Sequence, residues 1–243
     1  MSDGRRLVIR FQDLTEVPEW VWDRADLEFL CVSDNRLTAL SDKIARLSKL
    51  RALDIAHNAI ASIPDALGDL TDLSDYLYLS DNRLTTFPEP IAKLASLRYL
   101  GLTDNRIATL PEAVAGLTRL VELRLYNNGL SQLPASLGAL ASLRELHLSN
   151  NQLTSLPASI GALTELRILD LRNNHVAELP ESIGNLRTLL YLDLRANALT
   201  RLPDGIGELT SLQKLDLRWT PVSQMPAPGW FARLQQRGCV VLR

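Results

Sequence analysis

Apolar and polar residues alternate along the chain in short runs, each followed by an asparagine. In one such run, Leu169 and Leu171 alternate with Asp170 and Arg172, and Asn174 follows three residues after the second leucine. A period of two residues is that of a β-strand with one buried face. The pattern predicts a short strand whose leucines point inward and whose charged side chains point outward.

The run recurs throughout the chain, and the asparagine after it marks the interval. Successive asparagines lie 23 residues apart, with one step of 24. They are Asn35, Asn58, Asn82, Asn105, Asn128, Asn151, Asn174 and Asn197. A proline keeps the same period from Pro64 to Pro226, with Pro18 in phase at the start and Ser41 as the one gap. Two columns with one period predict an array of about ten stacked repeats.

Each position of the repeat has a physical role that favours stacking. One repeat cannot bury its leucine face alone, whereas neighbours on both sides can. A buried asparagine can satisfy backbone groups of the turn through its amide donors and its carbonyl acceptor. Proline suits the first turn of a short helix, and small residues ten positions after each asparagine predict close approach between layers. These small residues are Ala45, Gly68, Ala92, Ala115, Gly138, Gly161, Gly184 and Gly207.

Three parts of the array depart from the repeat. The extra residue of the longer repeat lies between Leu73 and Leu77, where we expect the turn before the strand to absorb it. Gln12 and Thr220 take the asparagine position at the two ends, and a short amphipathic helix and a final strand are predicted after Thr220. We expect one self-contained domain. Its predicted parts are an atypical N-terminal repeat over 1–26, regular repeats over 27–226 and a C-terminal cap over 227–243.

The repeat resembles that of the leucine-rich repeat family, L-x-x-L-x-L-x-x-N-x-L. Leu166, Leu169, Leu171, Asn174 and Val176 match this pattern, and the continuation LPxxIGxLxxLxxL is similar to the 23-residue class of intracellular and bacterial proteins. The resemblance implies an α/β leucine-rich repeat solenoid. This is a right-handed curved horseshoe with a parallel β-sheet on the concave face and short α- or 3-10 helices on the convex face. The class implies binding modules more often than enzymes.

Composition and charge exclude several functional classes. The chain has 46% hydrophobic and 22% charged residues and a formal net charge of −2, which predicts a folded protein and implies neither nucleic acid nor a membrane as a partner. Cys31 and Cys239 lie at opposite ends of the array, which argues against a disulfide and suits a reducing compartment. We therefore expect a monomer in the cytoplasm, or a secreted effector.

Candidate catalytic residues do not cluster in the sequence. His57, His147 and His175 occupy three different phases of the repeat. His57 and His147 are four repeats apart, which is about 20 Å at the usual strand spacing, and Cys31 is out of phase with His57 in the next repeat. The sequence has no phosphate-binding glycine loop and no C-x-x-C or H-x-x-x-H metal spacing. We predict no enzyme activity, no cofactor and no metal.

Three columns of outward residues make up the predicted concave face, where the family usually binds its partners. Near the N-terminus this face carries four aromatic residues, Phe29, Tyr76, Tyr78 and Tyr99, among small neighbours. Aromatic side chains presented on a sheet have the composition of interface anchors. The alternative is that they pack on one another and cover gaps left by the small residues.

The C-terminal part of the concave face is charged. Asp170, Asp193 and Asp216 form one column beside Arg172, Arg195 and Arg218 in the next. These charges can neutralise one another, or they can present a patterned surface to a partner. A metal held by the three aspartates is disfavoured because the adjacent arginines would oppose a cation.

A further row of polar residues directly precedes the asparagines. It comprises Asp34, His57, Asp81, Asp104, Asn127, Asn150 and Asn173. Asp and Asn side chains bond to local backbone in tight turns, so a structural role in the turn is favoured.

These features favour a non-catalytic protein–protein interaction module that binds a protein or peptide through its concave face. The predicted contact residues are Phe29, Tyr76, Tyr78, Tyr99, Arg124, Tyr126, His147, Asp170, Arg172, Tyr191, Asp193, Arg195, Asp216, Arg218 and Trp219. Two alternatives stay open. One is a bacterial effector, or the recognition part of an effector of the ubiquitin-ligase type, since related repeats are joined to such domains in some effectors. The other is a receptor for a small ligand or carbohydrate that uses Tyr, Trp and Asp of the concave face.

Overall fold

The protein forms a single open sheet backed by short helices. A computed structural model describes residues 4–243, so the first three residues of the predicted N-terminal cap lie outside it. Within the described residues, eleven parallel strands follow one another in chain order. They are β1 Arg6–Val8, β2 Phe29–Cys31, β3 Ala52–Asp54, β4 Tyr76–Tyr78, β5 Tyr99–Gly101, β6 Glu122–Arg124, β7 Glu145–His147, β8 Ile168–Asp170, β9 Tyr191–Asp193, β10 Lys214–Asp216 and β11 Val240–Leu242.

A 3-10 helix lies between each pair of successive strands up to β10. These helices are Glu19–Asp23, Asp42–Arg46, Asp65–Asp69, Glu89–Lys93, Glu112–Gly116, Ala135–Ala139, Ala158–Ala162, Glu181–Asn185 and Asp204–Glu208, and a tenth, Pro221–Gln224, follows β10. The helix α1, Trp230–Gln236, then leads to β11, as the amphipathic pattern predicted. The architecture confirms the predicted α/β leucine-rich repeat solenoid.

The strands pair in register, so residues of the same repeat phase lie side by side. The central leucine of each strand from β1 to β10 pairs with the central residue of the next, for example Leu146 with Leu169. The extra residue of the longer repeat is absorbed before β4, as predicted. There the backbone amides of Ser74 and Asp75 both donate to the carbonyl of Arg51, at 3.2 and 2.8 Å, and Tyr76 then pairs with Ala52.

We call the eight recurring asparagines from Asn35 to Asn197 the asparagine ladder. Each of them ties its own turn to the preceding repeat. Asn151 is 6% exposed, and its Nδ2 donates to the carbonyls of Leu125, Leu148 and Ser149 at 2.9, 3.0 and 3.3 Å. Its Oδ1 accepts from the backbone amide of Leu130 at 3.0 Å. The same pattern recurs along the ladder, which confirms its predicted structural role.

The convex side is closely packed because backbone meets backbone there. A methyl group added at Gly138 would lie 2.5 Å from the carbonyl oxygen of Ser159, and one at Gly161 would lie 2.4 Å from that of Ser182. This confirms the predicted close approach between layers. The recurring prolines differ slightly from the prediction: Pro134 and its counterparts lie directly before the 3-10 helices, at the N-cap, rather than in the first turn.

The residue before each ladder asparagine, and Trp219 before Thr220, has a left-handed backbone. We call these residues the turn row; it comprises Asp34, His57, Asp81, Asp104, Asn127, Asn150, Asn173, Ala196 and Trp219, with φ between 51° and 61°. Side chains of the turn row also bond to one another, since Asn150 donates to Asn127 and Asn173 donates to Asn150, both at 2.6 Å. The predicted role of Asp and Asn in the turn is confirmed. Ala196 and Trp219 have the same geometry without the side chains that favour it.

Replacing Ala196 by Asn is expected to raise the free energy of unfolding by about 1 kcal/mol. The left-handed φ of 51° is energetically unfavourable for alanine. Asn tolerates this region and could donate to Oδ1 of Asn173, which would extend the row of hydrogen-bonded asparagine side chains. Urea unfolding monitored by circular dichroism measures the change. Ala177→Asn is the control, because Ala177 is exposed and has no positive φ. Equal effects of the two substitutions would contradict the strain at Ala196.

Candidate binding surface

The aromatic residues at the N-terminal end of the concave face pack largely on one another. Phe29 is only 8% exposed. The Arg6 guanidinium lies 4.1 Å from the centroid of its ring, and the Tyr76 ring packs edge-on against it, with 6.2 Å between the ring centroids. Cys31 and Ala52 complete this small apolar cluster. Phe29 therefore packs beneath Tyr76 and leaves little exposed area for a partner. Its predicted role as a contact residue stays a prediction.

Tyr76 and Tyr78 form the exposed part of the same cluster. Their rings stack with centroids 4.5 Å apart, and the ring of Tyr78 covers Gly101, where an added methyl group would lie 3.1 Å from it. Burial raises the pKa of both phenols, so they are neutral at physiological pH. Tyr99 stands apart, with the guanidinium of Arg98 5.7 Å from its ring. The structure thus joins three of the four predicted aromatics.

The middle of the concave face holds an acid–histidine cluster that sequence reasoning did not single out. Nε2 of His147 lies 3.1 Å from Oε2 of Glu145 and 3.9 Å from Oε1 of Glu122. Arg124 donates from Nε to Glu122. Glu145 and His147 share one face of β7, and Glu122 pairs with Glu145 in the register. The sequence pattern that could have revealed the cluster is Glu145-x-His147 on one strand, beside a strand that begins with Glu122.

This cluster has the donor atoms of a metal site but also a competing cation. One atom each of Glu122, Glu145 and His147 lies within 4.8 Å of the others. The guanidinium of Arg124 already holds Glu122, so a metal ion would have to displace it or share the carboxylate with it. The absence of a metal therefore stays a prediction.

At the C-terminal end, each aspartate is bonded to the arginine two residues along its own strand. Nη2 of Arg195 donates to Asp193 at 2.6 Å, and Nη2 of Arg218 donates to Asp216 at 2.8 Å. Nε of Arg195 also lies 3.4 Å from Oδ2 of Asp216. Asp170 pairs likewise with Arg172, at 3.2 Å. The predicted mutual neutralisation is confirmed, including a guanidinium that bridges two carboxylates.

The two signs of charge are not equally exposed. The side chains of Asp170, Asp193 and Asp216 are 12%, 22% and 1% exposed. Those of their arginine partners Arg172, Arg195 and Arg218 are 46%, 20% and 37% exposed. The carboxylates therefore form the floor of this surface, and two of the three guanidinium groups lie well above it.

Asp216 stays ionised despite its burial. Burial alone would raise the pKa of its carboxyl, but hydrogen bonds from Arg218 and the positive charges of Arg195 and Arg218 outweigh that effect and leave the pKa below its usual value. The same hydrogen bond with Asp216 raises the pKa of Arg218. The Asp216–Arg218 pair is therefore charged at physiological pH.

A shallow cavity of about 260 Å³ opens among these charges. Its lining includes Ile168, Asp170, Tyr191, Asp193 and Lys214. Tyr191 is 41% exposed and is the most exposed aromatic side chain on the strands of the described sheet. The cavity joins an apolar wall to charged groups of both signs.

Two further predicted contact residues are Tyr126 and Trp219. Tyr126 is half-buried and follows β6. Trp219 belongs to the turn row at the edge of the sheet, where it is 72% exposed and the Arg218 guanidinium lies 5.5 Å from its ring. Trp219 therefore flanks the charged region and is not part of its floor.

The described cysteines and histidines do not form a nucleophilic pair. Cys31 is buried beside Ser33 and Asp54, and burial raises the pKa of its thiol. His57 lies in the turn row, with Nδ1 2.9 Å from Asp81. Cys239 is also buried and unpaired. Within residues 4–243, we find no helix of the length and hydropathy that a membrane crossing needs.

Comparison with protein families identifies the repeat. A model of the leucine-rich repeat region matches residues 75–152 and 135–227, and a leucine-rich repeat model matches residues 26–84. Together these matches cover most of the chain. Leucine-rich repeat domains are typically non-catalytic interaction modules.

Solved structures of receptors share the fold. The ectodomain of the membrane receptor kinase GASSHO1/SCHENGEN3 from Arabidopsis thaliana, in complex with CASPARIAN STRIP INTEGRITY FACTOR 2, is 31% identical, with a TM-score of 0.79 over 89% of this chain. The plant peptide hormone receptor RGFR1 in complex with RGF2 is 27% identical, with a TM-score of 0.78 over 89%. A TDR receptor is 27% identical, with a TM-score of 0.87 over 99%. The chain spans only 27%, 36% and 42% of these three structures.

Proposed function

Because the chain belongs to the leucine-rich repeat family, we propose that it is a protein-binding module that takes a protein or peptide on its concave face and catalyses no reaction. The observation that carries this proposal is the strand register, which places the outward side chains of successive repeats in one continuous surface. Two of the similar receptors were solved in complex with a named factor or hormone, which supports a protein or peptide partner here.

The shape of the surface favours a peptide over a small molecule. The cavities beside Tyr191 and beside Tyr78 on the concave face have about 260 and 300 Å³, at or below the lower end of the roughly 300–1,000 Å³ usual for small-ligand pockets. Half-buried and exposed aromatic side chains, Tyr76, Tyr78, Tyr99 and Tyr191, are instead distributed over several strands. A partner that spans repeats can contact several of them, which suits an extended segment.

The double substitution Tyr99→Ala and Tyr191→Ala is expected to weaken peptide binding at least about tenfold, since truncating interface aromatics typically costs more than about 1 kcal/mol each. Neither ring stacks on another aromatic ring in the described structure, so the fold should persist. Peptides selected from a random displayed library by the unaltered protein serve as ligands, and fluorescence anisotropy measures their dissociation constants.

A matched substitution away from the sheet controls for general loss of aromatic surface. Trp20 is 51% exposed and lies in the 3-10 helix Glu19–Asp23, between the strands. Trp20→Ala should leave binding unchanged, and all variants should keep the same circular dichroism spectrum. The concave-face assignment fails if the Trp20 variant loses binding and the tyrosine variant does not. It also fails if the library yields no ligand.

A further inference from the structure

The charged region of the concave face has unused hydrogen-bond donors and few unused acceptors. Arginine carries five N–H donors. Arg195 and Arg218 direct Nε and Nη2 to Asp193 and Asp216. Within residues 4–243, no acceptor is hydrogen-bonded to Nη1 of either arginine. All four carboxylate oxygens of Asp193 and Asp216 accept at least one of these bonds, and Oδ1 of each also accepts from the backbone amide of its arginine partner.

The charges exposed on this region are also mainly positive. Arg172, Arg218 and Lys214 are 46%, 37% and 42% exposed, whereas the side chain of Asp216 is 1% exposed. Counting Asp170, Asp193 and Asp216 against three arginines and Lys214 leaves one positive charge in excess. A partner that approaches from solvent therefore meets Arg172, Arg218 and Lys214 before it meets the carboxylates of Asp170 and Asp216.

The spacing of these groups suits an extended chain that crosses the strands. Parallel strands lie about 4.8 Å apart, so Arg172 and Arg218, two strands apart, are separated by roughly 10 Å at the backbone. A polyproline II segment rises about 3.1 Å per residue with three residues per turn, so its residues i and i+3 lie about 9.3 Å apart on one side. Two carboxylates three residues apart can thus reach both arginines.

We propose that the surface formed by Arg172, Arg195, Arg218 and Lys214 binds an acidic peptide segment, with its carboxylates on the guanidinium groups and apolar side chains against Tyr191 and Trp219. This inference rests on the proposed function and specifies the chemistry of the partner. Guanidinium groups bind carboxylates through paired, charge-assisted hydrogen bonds. The phosphate backbone of nucleic acid fits less well, because it carries a negative charge about every 3.4 Å along each strand, whereas this surface has only one positive charge in excess.

Blocked, fluorescein-labelled peptides of four Glu-Pro-Pro units test the proposal, with Gln-Pro-Pro and Lys-Pro-Pro peptides of equal length for comparison. Proline favours the extended conformation in all three. By fluorescence anisotropy, the Glu peptide should bind at least about tenfold more tightly than the Gln peptide at about 50 mM NaCl, and should weaken severalfold at about 300 mM. The Lys peptide should bind no better than the Gln peptide.

The double substitution Arg172→Gln and Lys214→Gln should reduce binding of the Glu peptide about tenfold, because it removes two exposed cations and leaves both Arg195 and Arg218 in place. The matched control is Lys93→Gln with Arg187→Gln, which removes the same charge from exposed positions off the concave face. That control should bind the Glu peptide as the unaltered protein does. Equal weakening by both pairs would show a general charge effect and would overturn the proposal.

Other results overturn the proposal in distinguishable ways. Tighter binding of the Lys peptide would mean that the aspartates recognise a basic partner. Tighter binding of a labelled single-stranded oligonucleotide would point to phosphate. Failure of all three peptides would also overturn the acidic partner. The proposed function has its own test, because library peptides that lose affinity through Tyr99→Ala and Tyr191→Ala would still show peptide binding on the concave face.

Discussion

Asn151→Ala is expected to lower the free energy of unfolding by about 3 kcal/mol. Without the side chain, the buried amide of Leu130 loses the acceptor it has in the structure, and an unsatisfied buried donor costs about 1–3 kcal/mol. Three further hydrogen bonds, to Leu125, Leu148 and Ser149, are lost as well. Their carbonyls keep other partners, which limits the added cost. Urea unfolding measures the difference.

Asn185→Ala is the control for this substitution. Asn185 is exposed at the end of the 3-10 helix Glu181–Asn185, and its side chain makes no hydrogen bond within the described residues. Its replacement should change stability by less than about 0.5 kcal/mol. A similar loss for Asn151 and Asn185 would show that the ladder asparagine is not specially important for stability.

Neighbouring ladder asparagines are also expected to be energetically coupled. Asn151 and Asn174 both donate to the carbonyl of Leu148, at 3.0 Å each, whereas Asn151 and Asn197 share no acceptor. Replacing Asn151 and Asn174 together leaves this buried carbonyl without either partner. The pair should therefore lose about 1 kcal/mol more than the sum of the single changes. Replacing Asn151 and Asn197 should be additive.

Gly116→Ala is expected to destabilise the protein by a similar amount, about 3 kcal/mol. The new methyl group would lie 2.1 Å from the carbonyl oxygen of Ala92, which belongs to the backbone of the preceding layer. A flexible side chain could move aside, but here two backbone segments must separate, and overpacking of this kind typically costs 1–3 kcal/mol or more. The midpoint of urea unfolding should fall accordingly.

Gly129→Ala provides the comparison at a site with room. Its new methyl group would meet no atom closer than the 3.7 Å to the carbonyl of Ile107, an ordinary contact distance. Stability should stay the same or rise by up to about 1 kcal/mol, since alanine restricts the unfolded chain more than glycine does. If Gly116→Ala is equally harmless, the layers adjust more easily than their packing indicates.

The sequence predicted the scaffold well because its constraints repeat. Ladder asparagines, strand leucines and small convex residues recur with one period, so each repeat tests the same inference again. Even the longer repeat was placed correctly, at the turn before Tyr76. The 23-residue class implied by the resemblance, the division into caps and regular repeats, and the cellular compartment stay predictions.

The details of the surface were less predictable because they depend on where long side chains settle. The repeat phase puts Arg6, Phe29 and Ala52 side by side, but it does not show that the Arg6 guanidinium lies over the Phe29 ring. They placed Asp170 and Asp216 in equivalent positions, yet the surrounding cations bury Asp216 more completely. Ala196 was missed in the turn row because its side chain carries no sign of a left-handed backbone.

The strict chain order of the sheet also has a mechanical consequence. Packing between the described strands and helices joins elements of the same or adjacent repeats, so tension applied at the two ends can detach terminal repeats without first breaking the middle. A detached repeat of 23 residues can extend to roughly 80 Å, although it occupies only about 4.8 Å of the sheet. The end-to-end length of the chain should therefore increase in nearly equal steps as successive repeats detach.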